Sequence, residues 1–119
     1  MFIAHLLFSA ILFIGALLHG YGSFLAFPDN RPALVWSLGS SVFAIFLSAI
    51  CVLCAYRTVD RALAAICVAG CLAWVAVVLA FGLSIGNAAD PRVLYHVVTG
   101  LVLAGLALAD MFGSAGVTK

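Results

Sequence analysis

Three histidines, four cysteines and one aspartate are the residues of this chain whose placement could support chemistry. His5 and His19 lie in the first apolar stretch, and His96 and Asp110 in the last. An ionisable group inside an apolar span is rare and marks a site or a deliberate pairing. Two imidazoles at one depth suit three uses: an interhelical hydrogen bond, ligation of copper or zinc, or the axial positions of a b-type haem. The hydrogen bond is the first expectation for His19 and His96. Such bonds average about 0.6 kcal/mol in membranes. Cys51 and Cys54 (C-V-L-C) and Cys67 and Cys71 (C-V-A-G-C) flank a short polar segment, which brings the two pairs to similar depth. Thiols in that pattern suit Cu(I), zinc or thiol exchange. No Lys or Arg accompanies them at that depth to hold a thiolate, and a free cysteine in apolar surroundings packs as a small hydrophobe. Packing is therefore the first expectation for the cysteines, and metal binding the alternative.

The histidines and the aspartate fall on helical faces. His96, Gly100, Leu103, Ala107 and Asp110 are spaced by alternating fours and threes, as are His5, Ser9, Leu12, Ala16, His19 and Ser23. Two antiparallel helices with these faces pair in register: His5 with Asp110, Ala16 with Gly100, His19 with His96. His5 and Asp110 then form a pair near the membrane edge. That location favours a structural, register-fixing role over a proton relay. Ala16 opposite Gly100 implies axes about 8 Å apart, too close for a macrocycle between these two helices.

The segment H-V-V-T-G, residues 96–100, resembles the His-x-x-x-Gly haem-ligand stretch in the cytochrome b anchors of succinate dehydrogenase. The resemblance implies a haem b ligand at His96, with the porphyrin close to Gly100. It covers five residues. The arginine, histidine and early aspartate that follow in those anchors are replaced here by Leu101, Val102 and Leu103.

The elements that must position these groups follow from composition. Of 119 residues, 67% are hydrophobic and 8% charged. A soluble domain is nearer one quarter charged. The length fits about four spans of ~20 residues joined by short loops. The expected fold is all-α: an up-down-up-down, integral-membrane four-helix bundle in one domain over 1–119, with spans near 2–26, 33–55, 62–83 and 93–112. F-P-D-N-R-P (27–32), Y-R-T-V-D-R (56–61) and S-I-G-N-A-A-D-P-R (84–92) are the loops. The first stretch lacks the basic start of a signal peptide and is expected to stay as a helix. Residues 113–119 are small and polar, an expected frayed tail. Arg57, Arg61 and Lys119 on one side outnumber Arg31 and Arg92 on the other. That difference favours both termini in the cytoplasm of a cell with an inner or plasma membrane.

Helices in lipid associate through close packing and hydrogen bonds, so small residues mark contact faces. Ser37, Ser41, Ala44 and Ser48 form one such face, and Ala65, Ala69, Ala73 and Ala76 another. Phe43, Phe46, Ile50, Leu72, Val75 and Leu79 are then left for lipid or a partner. Asp29-x-Arg31 before Gly39 parallels Asp90-x-Arg92 before Gly100, a faint sign of two duplicated hairpins.

Function classes narrow by exclusion. A net charge of +1 gives no basic patch for nucleic acid. No nucleophile–base–acid set, phosphate loop or paired carboxylates are present, so the chain is not expected to be an enzyme. Every aspartate lies at a loop or helix end, which weakens the case for a small transporter or channel. The leading expectation is a non-catalytic accessory subunit, partnered by the lipid bilayer and by other membrane subunits or by itself. The alternative is a small redox protein binding metal, copper or haem through His19 and His96.

Overall fold

The computed structural model describes residues 1–113. Of the expected frayed tail, Gly113 is the last residue of a helix, and residues 114–119, Lys119 among them, lie outside the described residues. Four helices make up the fold: α1 (Phe2–Ala26), α2 (Arg31–Tyr56), α3 (Arg61–Ser84) and α4 (Pro91–Gly113). At 1.5 Å per residue each is about 35–39 Å long, enough to cross a ~30 Å hydrocarbon core. All four are long and apolar enough to span a membrane. The chain is a small polytopic membrane protein with an up-down-up-down bundle.

The last three helices begin one or two residues earlier than expected. Arg31, Pro32, Arg61 and Pro91 belong to first turns. A first-turn N–H has no intrahelical partner, so proline loses nothing there. Side chains set the starts. Asn30 Oδ1 accepts from the Ala33 N–H at 3.2 Å, and Asp60 Oδ1 from the Leu63 N–H at 3.0 Å. Asp90 Oδ1 accepts from the Arg92 N–H at 2.9 Å. The end of α3 is a Schellman turn. Gly86 has φ +68°, its N–H donates to the Leu83 carbonyl at 3.0 Å, and the Asn87 N–H donates to the Gly82 carbonyl at 2.9 Å. Only glycine adopts that backbone without strain.

Polar side chains point inward and apolar ones outward. His5, Ser9, Ser23, Ser41, Ser48, His96, Thr99 and Asp110 are buried, whereas Leu18, Phe24, Trp36, Phe46 and Leu83 are exposed. A bilayer accepts the apolar surface and penalises unmet polar atoms, which inverts the usual soluble arrangement. Trp36, expected as an interfacial anchor, is 80% exposed near one end of α2.

The bundle is built of two close hairpins, α1 with α2 and α3 with α4, which meet more lightly along α1–α4 and α2–α3. The faces expected for α1 and α4 are the ones that turn inward, but two of their pairings change. Gly100 does not lie at the α1 contact. A Cβ there would meet Val75 Cγ2 at 2.8 Å and the Cys71 carbonyl oxygen at 3.6 Å, so its close approach is to α3. On α1 the tight glycine is Gly15, whose added Cβ would collide with the Tyr95 and His96 rings. The α3 expectation also fails. Ala65, Ala69, Ala73 and Ala76 are exposed, while Val75 is buried with Ala64, Cys67, Cys71, Trp74 and Val78. The thiols and the indole carry polar atoms to be hidden. An alanine methyl loses nothing by facing lipid. The duplicated-hairpin expectation gains no support from packing either, since Gly39 has open space where Gly100 is tightly held.

Candidate metal centre

Helical spacing puts Cys51 and Cys54 on one face of α2, and Cys67 and Cys71 on one face of α3. The short Arg57–Asp60 turn joins the two helices, so both faces turn inward at one depth. Cys51 Sγ lies 3.1 Å from Cys67 Sγ and 3.7 Å from Cys71 Sγ. All four cysteines are free thiols with no exposed surface. Cys54 faces Cys67 and the Asp110 carboxyl.

The expected His5–Asp110 pair forms beside these thiols. His5 Nε2 is 3.8 Å from Asp110 Oδ2, with the two residues only 1% and 5% exposed. That separation is beyond hydrogen-bond reach. His5 Nε2 and the neighbouring Ser9 Oγ are buried with no hydrogen-bond partner among the described residues. All four helices thus contribute polar atoms to this end of the bundle. Two sets of potential ligand atoms converge there, each mutually within 4.8 Å: Cys51, Cys67 and Cys71, and His5, Cys54 and Asp110. Leu12 and Leu103, fully buried two turns further along α1 and α4, close the site off from the other half.

The histidines at the opposite end are arranged differently from expectation. His19 bonds to α2: its Nε2 is 3.2 Å from Ser37 Oγ. Ser37 Oγ is also 2.6 Å from Ser23 Oγ, and that hydroxyl donates to the His19 carbonyl at 2.8 Å. His96 packs edge-on against Trp74, with centroids 5.4 Å apart, and against Tyr95 at 5.1 Å. The Tyr95 hydroxyl donates to the Ile11 carbonyl, pinning α4 to α1. Gly15 lies directly on the Tyr95 and His96 rings, so the space a macrocycle would need between α1 and α4 at this depth is filled. The expected direct His19–His96 pairing is therefore replaced by Ser37 on one side and aromatic rings on the other. Along its whole length α1 packs more closely on α2 than on α4, which favours the Ser37 partner.

Sequence reasoning placed the cysteines at one depth and paired His5 with Asp110, but it kept the two groups apart. Depth alone would have joined them. His5 stands one turn into α1 and Cys54 one turn from the end of α2, at the same end of the bundle. Trp74 was missed as a partner of His96. Its position in mid-span, away from the interface where tryptophan usually sits, was the available signal. No family model matches the chain, and neither does any curated protein or solved structure.

Proposed function

We propose that this membrane protein binds a soft metal ion, copper(I) above all, between Cys51, Cys67 and Cys71. The observation that carries this reading is the buried triangle of free thiols with Sγ separations of 3.1 and 3.7 Å. Sulfurs bound at ~2.3 Å around one ion stand about 3.8 Å apart, so small side-chain adjustments admit the metal. Soft thiolate ligands select Cu(I). A buried thiol without a cation resists ionisation, and the ion supplies the missing charge. The basic Arg57–Arg61 turn supports placing this end on the cytoplasmic side, where thiols stay reduced. Such a buried site suits an accessory role: holding copper within the bilayer for a larger complex.

Anaerobic Cu(I) titration against a competing chelator tests the reading. Wild type is expected to take up one ion at this triangle, with X-ray absorption showing Cu–S distances only. Cys51→Ser, Cys67→Ser and Cys71→Ser should each weaken binding by ~100-fold or more, beyond the loss seen for outer contacts of a metal site. Unchanged Cu(I) affinity in all three variants overturns it.

An accessory role has separate support in the cleft between α2 and α3. Phe43, Phe46, Ile50, Ile66, Gly70 and Ala73 line an open apolar groove there. A partner helix suits its alternation of large and small residues. A photo-crosslinker at Phe46 that captures only lipid in native membranes counts against a partner subunit.

A further inference from the structure

We infer a second metal site, for a divalent ion of the zinc class, formed by His5, Cys54 and Asp110. It uses none of the three sulfurs assigned above and stands whether or not they hold copper.

The geometry carries the inference. The three side chains come from α1, α2 and α4, and their ligand atoms lie mutually within 4.8 Å. They are 1%, 0% and 5% exposed. His5 Nε2 and Asp110 Oδ2 are 3.8 Å apart. That is too far for a hydrogen bond. Two ligand atoms held at ~2.1 Å by one tetrahedral zinc are about 3.4 Å apart, close to this separation. His5 Nε2, which aims at this space, has no hydrogen-bond partner among the described residues.

Charge selects the class of ion. One thiolate, one carboxylate and one neutral imidazole carry two negative charges. A divalent ion makes the set neutral, the least costly state inside a low-dielectric bundle. The thiol proton of Cys54 leaves to solvent as the ion enters. Calcium and magnesium take oxygen ligands and are disfavoured by sulfur and nitrogen. Mixed N, S and O ligation suits zinc. Three protein ligands leave the fourth tetrahedral position for water or an exchanging group. Cys54 also faces Cys67 of the thiol triangle. The two sites therefore adjoin at one end of the bundle.

Cobalt(II) serves as the optical probe and zinc as the competitor, with purified full-length protein in mild detergent without oxygen. Wild type is expected to bind one Co²⁺ with tetrahedral d–d bands and a sulfur charge-transfer band, and to lose both signals on adding Zn²⁺. Cys51→Ser and Cys71→Ser should keep this signal. His5→Gln and Asp110→Asn should weaken binding by ~100-fold or more, beyond the loss expected for an outer contact. Far-ultraviolet circular dichroism checks that each variant remains helical. X-ray absorption on the wild-type zinc form is independent of folding in any variant. One sulfur at ~2.3 Å with nitrogen and oxygen at ~2.0–2.1 Å is expected. An all-sulfur shell, a signal lost in Cys51→Ser but kept in His5→Gln, or no Co²⁺ bound by wild type overturns the inference.

Discussion

The two ends of the bundle interior each bury histidine among polar neighbours, yet they use it differently. At the Asp90 end, hydroxyls answer the imidazole: His19 meets Ser37, and Ser37 meets Ser23. Aromatic rings wrap His96. At the other end His5 faces a carboxylate and a thiol, and its Nε2 has no hydrogen bond among the described residues. Hydroxyl and ring contacts lock the helices together there, although His96 Nδ1 and Trp74 Nε1 are also buried without a hydrogen-bond partner among the described residues. Thiols, a carboxylate and an imidazole nitrogen, by contrast, are the donor types that a cation takes. The first end therefore holds the fold, and the second is where we place its chemistry.

The largest effect should come from disturbing the structural end. Gly15→Leu forces side-chain volume into the Tyr95 and His96 rings and should cost about 3 kcal/mol, the upper range for overpacking a tight contact. Gly39→Leu, where nothing lies within 4 Å, should be close to neutral. Reversible unfolding in mixed micelles measures both. Equal losses in the two variants would erase the contrast between tight and open positions.

Ser37→Ala should have a middling effect. It removes the partner of His19 and should cost about 0.6–1.7 kcal/mol, the range for interhelical hydrogen bonds in membranes. It should leave metal uptake at the far end unchanged. Altered uptake would show that the two ends are coupled, which would blur the division of labour drawn here.

The smallest effect belongs to the Asp90 turn, outside the membrane. Hydrogen bonds from the Arg92 guanidinium and backbone N–H hold the Asp90 carboxyl down at about 2. Its folded value lies below its unfolded one. The stabilising contribution is therefore present above the ordinary carboxylate range of about 4 and is lost as pH falls through about 2. Thermal unfolding of wild type and Asp90→Asn should differ slightly at pH 5 and converge near pH 2. A difference that persists at the lower pH would assign the effect to something other than this carboxylate.

Much of the fold was legible because polar residues inside a span must turn toward protein. His5, Ser9, Ser23, His96 and Asp110 orient α1 and α4 for that reason, and both faces are found inward. The capping residues Asn30 and Asp60 and the glycine turn at Gly86 were legible as breaks, although Pro32 and Pro91 joined the helices that follow them. The face of α3 was misjudged because its alanine stripe looked like a packing surface. In lipid, small residues permit contact without requiring it. Cys67, Cys71 and Trp74 required burial more.

By itself, then, the order of residues determined four membrane-length helices, their limits to within one or two residues, the level of each polar group along its helix and the inward faces of α1 and α4. Hydropathy, capping chemistry and a fixed 1.5 Å rise suffice for that. Only the tertiary structure decided that Gly100 packs on α3, that His19 answers to Ser37, and that Cys54 joins His5 and Asp110. Depth is a property of each helix alone. Which neighbour a side chain meets at that depth depends on the rotation of every helix, and close packing among all four settles those rotations together.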